Sequence, residues 1–247
     1  MAPRDNSYPA DYFGRCAKRL QTVIRDTESR RHDALLGRTP TDCLNVSRAL
    51  YSAGLSPKKC LVWCDRAVDY AQRFMQARWY SFGGYGDVEG WIQLLAAASL
   101  VQRAPEFVAA FRRCTFQDAR VPGVAALLGQ LACVITHDRD AMRRYRPQVI
   151  TKLAPHWRPI PPLLKATLAR DPKALGTCLE AYLRKTWAPQ AIALKEASAK
   201  AKTPEFMGNW CYLAAATSCL VGTVPTLAHD LRDYLPSDLC LERLSSR

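Results

Sequence analysis

From Phe206 to Ala228 the chain carries no charged residue. A run that long has to be buried in a core, dissolved in a membrane or covered by a partner, because so much apolar surface is costly to leave in water. The membrane option needs about 20 mostly apolar residues in one helix. This run has the length but the wrong content: Gly208, Asn209, Thr217, Ser218, Gly222, Thr223 and Thr226 dilute it, and Pro225 interrupts it. The next uncharged stretch, 121–137, is shorter, and the mean hydropathy is −0.18. Met1–Asn6 leads into no apolar segment that could serve as a signal peptide. The expectation is a buried helix over 206–221 in a cytoplasmic protein with no membrane partner.

With 247 residues, 49% of them hydrophobic, the chain can fill one large core. It could also form two closely packed halves, 1–120 and 121–247. Ten cysteines are present, and in a reducing compartment they stay thiols. Cys133, Cys211 and Cys219 sit inside apolar runs and read as small core hydrophobes. Cys60 and Cys64 stand one helical turn apart, but His32, His137, His156 and His229 are all distant in sequence. A structural zinc usually takes four such ligands, so no metal or other cofactor is expected.

The net charge of +13 is uneven. Residues 101–170 hold twelve Lys/Arg against four Asp/Glu, and the densest group is Arg139, Arg143, Arg144 and Arg146, followed by Lys152 and Arg158. Such a patch can be a nucleic-acid footprint, a surface for an acidic protein, or a solvated face. No reader motif accompanies it.

Secondary-structure signals are helical throughout. Proline follows a small or capping residue at Ser56-Pro57, Ala104-Pro105, Asp171-Pro172 and Thr203-Pro204, where it favours a helix start. From Pro57, the residues Cys60, Leu61, Cys64, Ala67, Val68, Ala71 and Met75 form one apolar stripe at three-to-four spacing, opposite Lys58, Lys59, Arg66, Arg73 and Arg78. Residues 9–31 predict a first helix with Tyr12, Phe13, Cys16, Leu20, Val23 and Ile24 inward. Val88–Leu100 predicts a central, mostly buried helix. Further helices are expected over 41–52, 105–114, 122–135, 147–153, 161–170, 172–186, 189–202 and 226–233. Alternating β-rich runs longer than four residues and Asn-Gly or Asp-Gly hairpin turns are missing from the sequence. The fold class expected is all-α: a single globule of about ten to twelve helices, packed mostly as antiparallel pairs.

No Gly-x-Ser-x-Gly elbow, His-Glu-x-x-His motif or phosphate-binding glycine loop appears, so no catalytic residue is assigned. The 81–91 stretch, Ser-Phe-Gly-Gly-Tyr-Gly-Asp-Val-Glu-Gly-Trp, has two readings. One is a tight turn whose acids cap the next helix. The other is an exposed aromatic-acidic tip that grips a partner through Tyr85, Asp87 and Glu89. Asp230, Asp233 and Asp238 cluster near the C-terminus without the spacing of a calcium loop, and Asp230 and Asp233 join the candidate partner surface. Trp187 and Trp210 read as core anchors.

Several of these positions together resemble a known family. Gly208-Asn209-Trp210-Cys211-Tyr212 with its alanine-rich continuation, Gly222, and Tyr234-Leu235-Pro236-Ser237-Asp238-Leu239 are similar to the closing pattern of the PoNe-immunity (PoNi) family. Tyr182-Leu183-Arg184-Lys185-Thr186-Trp187, with one residue more before its Trp, resembles its Tyr-Leu-x-x-Trp helix, and Arg4-Asp5-Asn6 with Asp11-Tyr12-Phe13 its opening. Leu213 and Leu235 replace a Glu and a Tyr usual in that pattern, marking a divergent member. The resemblance implies a non-enzymatic immunity protein whose partner is a toxin domain, a nuclease delivered by a secretion system as in type VI bacterial competition. The alternative expectation is a helical nucleic-acid-binding protein using the Arg139–Arg158 cluster.

Overall fold

A computed structural model describes residues 4, 8–9, 11–30, 38–76, 85–113, 123–138, 140, 153–200 and 206–245. Among them lie eleven α-helices and no strand. They are α1 Tyr12–Arg30, α2 Thr39–Ser52, α3 Pro57–Gln76, α4 Tyr85–Leu100, α5 Ala104–Arg112, α6 Val124–Ile135, α7 Ile160–Ala169, α8 Pro172–Tyr182, α9 Ala188–Lys200, α10 Tyr212–Val221 and α11 Ser237–Ser245. A π-helical turn, Leu183–Trp187, joins α8 to α9, and 3-10 turns span Pro155–Trp157 and His229–Tyr234.

Local chemistry explains some of these boundaries. α8 starts where Asp171 Oδ1 accepts from the backbone N–H of Lys173 and Ala174, both at 3.0 Å, with Pro172 at a position that has no N–H to satisfy. α3 buries the stripe read from the sequence, Cys60, Cys64, Ala67, Val68, Ala71 and Met75. α10 stops at Gly222, whose φ of +88° places it in the left-handed cap that glycine adopts without strain. In α1, Tyr12, Phe13, Cys16 and Ile24 are buried as expected, but Val23 is not: it is 44% exposed.

α4 and α10 pack together at the centre of one continuous core. Every residue of α10 from Tyr212 to Leu220 is buried. α3, α5 and α6 flank α4, while α7, α8 and α11 lie against α10. α2 pairs with both α1 and α3. The arrangement is the all-α single globule expected.

The uncharged run departs from expectation. The helix read over 206–221 begins only at Tyr212, and residues 206–211 form an irregular strap with Gly208 at φ +109°. Backbone and side-chain bonds to distant helices compete there with helix formation and win. The helix expected over 226–233 is a 3-10 turn, and α11 was not foreseen. The segment 147–153 lies outside the described residues except for Leu153. Among the described residues, no helix is long and apolar enough to cross a membrane.

Candidate functional site

The strap positions the site by tying the chain's distant parts together. Trp210 Nε1–H donates to Ser52 Oγ at 2.5 Å, and the Trp210 ring meets Tyr51 edge-on at 4.5 Å between centroids. Trp187 Nε1–H donates to the Asn209 carbonyl at 2.6 Å, and the Cys211 N–H donates to the Tyr234 carbonyl at 3.0 Å. From the N-terminus, Arg4 donates to the carbonyls of Tyr51 and Leu55 and pairs with Asp238 at 2.7 Å. The π-helical turn carries one residue more than an α-helical turn, which sets the register in which Trp187 reaches the strap.

Beneath the strap lies a pocket of about 300 Å³ between α2, α4, α9 and residues 206–208. Its polar wall is built from Arg48, Asn45, Glu89 and Gln93, and its apolar wall includes Leu44, Trp187, Leu194 and Phe206. Arg48 is held tightly. Its Nε–H donates to the Trp210 carbonyl at 3.1 Å and its Nη1 to Asn45 Oδ1 at 3.0 Å. Its guanidinium also lies 5.2 Å from the Trp187 ring and 5.0 Å from the Tyr212 ring, near enough for cation–π attraction to both.

Gln93 is almost wholly buried, and both ends of its amide are bonded. Its amide nitrogen donates to Glu89 Oε1 at 2.8 Å, and its amide oxygen accepts the Tyr212 N–H at 2.9 Å. That second bond satisfies the first orphan N–H of α10, joining the two central helices through one side chain. Glu89 Oε2 is sealed from solvent and accepts no hydrogen bond from the described residues. The Tyr182 hydroxyl is near enough to favour its charged form without closing a bond to Oε2. Burial pushes the Glu89 carboxyl above its ordinary range, opposed by the Gln93 bond and the Arg48 charge. Burial also raises the Tyr182 and Tyr212 phenols well above theirs, and the Cys211 thiol to about 12, so none of them ionises near neutrality.

The structure separates the residues expected to grip a partner. Tyr85 and Asp87 stand in the first turn of α4; their side chains and residues 81–84 lie outside the described residues. Glu89 corrects the reading of an exposed acidic tip. It points inward because it shares a helix face with Gln93 one turn on, and that face meets α2 and α10. Asp233 is exposed. Asp230 is exposed but not free: Arg184 clasps it with two bonds, of 2.7 and 3.2 Å, and the guanidinium lowers its pKa. Of the basic cluster, Arg139, Arg143, Arg144, Arg146 and Lys152 lie outside the described residues. Arg158 donates its Nε–H to the Leu153 carbonyl at 3.4 Å. Trp187 and Trp210 are core anchors, each 7% exposed. Among the described residues, no three His, Cys, Asp or Glu side chains gather as a metal site would require.

Sequence reasoning missed Arg48 and Gln93 altogether. A signal for Gln93 was present: in the apolar stretch 88–100, the polar residues Glu89 and Gln93 stand four apart, on one face of a helix that has no solvent-facing side. Arg48 gave no signal, since a single arginine in an amphipathic helix reads as solvated.

No protein-family profile matches the chain, and no curated protein matches it. A solved structure does, the crystal structure of protein PA2201 from Pseudomonas aeruginosa, with a TM-score of 0.64 and 18% sequence identity. The match covers 99% of this chain and 92% of that one. Likeness at that identity shows a shared fold.

Proposed function

We propose that the chain is a helical immunity protein that binds a cognate antibacterial toxin domain and occludes its active site, without catalysis of its own. One observation carries the reading. The residues that resemble the PoNi pattern are scattered from Arg4 to Asp238, yet they meet in a single bonded assembly. Arg4 pairs with Asp238, Trp187 caps the strap at Asn209, Cys211 pairs with Tyr234, and Trp210 locks onto α2. Residue types that must occur together to build one strap are what a shared scaffold requires, and chance resemblance has no such reason to converge.

A surface suited to a partner adjoins the strap. α9 buries only Ala188, Ala191 and Ser198 and exposes Ile192 at 50% and Leu194 at 60%. Large apolar side chains on a helix so thinly packed are the kind that a protein interface covers. The test is co-expression with any toxin domain that an adjacent reading frame encodes. The expected result is cell survival and a stoichiometric complex of nanomolar affinity, burying about 1,600 Å² in total. Failure to bind or to protect against that toxin refutes the reading.

A further inference from the structure

We infer that Cys219 and Cys240 are an oxidisable pair, whose conversion to a disulfide staples α11 onto α10. The two helices pack against each other, and both sulfurs lie in the seam between them. Ala215 and Cys219 stand one turn apart on the same face of α10. Cys240 Sγ approaches the Ala215 carbonyl at 3.8 Å, and Cys219 Sγ approaches the Cys240 carbonyl at 3.9 Å. The two side chains are also within hydrogen-bonding reach of each other. Other buried thiols bond elsewhere: Cys64 to Ser47 Oγ at 3.3 Å, Cys211 to the Tyr182 hydroxyl at 3.7 Å and Cys60 to the Leu55 carbonyl at 4.0 Å. Thiols on separate helices that already touch are what a disulfide needs. Cys60 and Cys64, one turn apart on a single helix, would have to distort α3 to meet.

Packing protects the pair only while α11 stays docked. The bond to Cys219 and burial push the Cys240 thiol well above its ordinary range, so in the packed state it is a poor nucleophile. The docking is thin, however. The buried residues of α11 are Leu239 and Cys240, and its ion pairs Arg4–Asp238 and Lys58–Glu242 are partly exposed and contribute little. An element held this way opens locally at much less cost than global unfolding. In the open form Cys240 returns to the ordinary thiol range and meets the oxidant, a peroxide. Its thiolate attacks one peroxide oxygen: an S–O bond forms, the O–O bond breaks, hydroxide leaves, and Cys240 becomes a sulfenic acid. As α11 closes, the Cys219 sulfur attacks that sulfur. The S–S bond forms, the S–O bond breaks, and the departing hydroxide takes the Cys219 proton as water. Both thiols are thereby oxidised, and the peroxide is reduced to water. The crosslink spans 21 positions, enough to restrict the unfolded chain and stabilise the fold.

Peroxide treatment of the full native chain tests the pair, independently of any toxin. After millimolar hydrogen peroxide, the protein is alkylated in denaturant, weighed intact and digested with trypsin. The expected product is lighter by two hydrogens, with the peptide that holds Cys219 linked to the one that holds Cys240. Cys211 shares the first of these peptides, so fragment spectra assign the linked sulfur, and Cys240→Ala is expected to abolish the link. The oxidised chain should melt about 5 °C or more above the reduced one, and dithiothreitol should reverse the rise. The same treatment in urea should scatter links among the other thiols. No link in the native chain overturns the proposal, as does sulfinic or sulfonic acid at Cys240 in place of a link. A native pattern no different from that in urea also overturns it, because packing then selects nothing. A link that leaves Tm unchanged or lowers it refutes the staple.

Discussion

Gly208→Ala asks the strap to accept one methyl group where there is no room for it. At φ +109° a non-glycine residue is strained by about 1–3 kcal/mol. The new Cβ would also fall well inside contact distance of Ser52 Oγ and against the edge of the Trp210 indole. Ser52 must then move, and moving it breaks the bond from Trp210 Nε1–H and leaves a buried donor unpaired, at about 1–3 kcal/mol. Stiffening of the unfolded chain returns about 0.4–1 kcal/mol. The net expectation is a loss of about 3 kcal/mol, or about 6–12 °C in Tm for a domain of this size. Urea unfolding followed by tryptophan fluorescence reads it directly. The double variant with Ser52→Ala isolates the collision. Without the Ser52 hydroxyl the methyl group has one obstacle fewer, so Gly208→Ala should cost at least 1 kcal/mol less in that background, as a coupled pair requires. A loss under about 1 kcal/mol in the wild-type background, or strictly additive costs, would refute the account of the strap.

Other perturbations read other parts of the structure. Because burial raises the folded-state pKa of Glu89, its contribution to stability is greatest below the ordinary glutamate range and declines as pH rises through the folded value. Glu89→Gln should therefore gain stability relative to wild type as pH goes from 4 to 8, measured by urea unfolding at each pH. Asp230 shifts the other way, since Arg184 lowers its pKa: its contribution is present above the ordinary aspartate value and is lost as pH falls through the lowered one. Carboxyl NMR should show it titrating below a free aspartate and returning to the ordinary range in Arg184→Ala. Arg48→Lys keeps the charge but loses the forked donors and the flat face between Trp187 and Tyr212; chemical denaturation should show a loss of about 2 kcal/mol. Thiol labelling of the native protein at pH 8, mapped by mass spectrometry, should modify partly exposed Cys178 well before Cys43, Cys60 or Cys211, which are buried and pushed up to about 12.

Where structure is decided by neighbours in sequence, it was legible there. The Asp171-Pro172 start of α8 and the stripe of α3 depend on hydrogen bonds and spacing within a few residues, and both hold. The strap was not legible, because its conformation is set by Ser52, Arg48 and Tyr234, none of which stands near Phe206–Cys211 in sequence. Composition alone makes 206–211 look like the first turns of α10. Glu89 failed for a related reason: its glycine-rich surroundings suggest a loop tip, while its actual environment comes from α2 and α10. Charge misled at Asp230, where an acid counted toward a negative patch is neutralised by Arg184, forty-six positions earlier.

The strap also dictates when this protein can exist. It joins Trp210 to Ser52, while Tyr212 bonds Leu44, Arg4 pairs with Asp238, and α10 supplies half of the central helix pair. A ribosome that has emitted the first two hundred residues holds a chain whose middle helix has nothing to lie against and whose first residues have no anchor. Native pairings of such long separation form late. A nascent chain should remain open to proteases until α10 and α11 have emerged, and a truncation before Phe206 should yield no protected fragment.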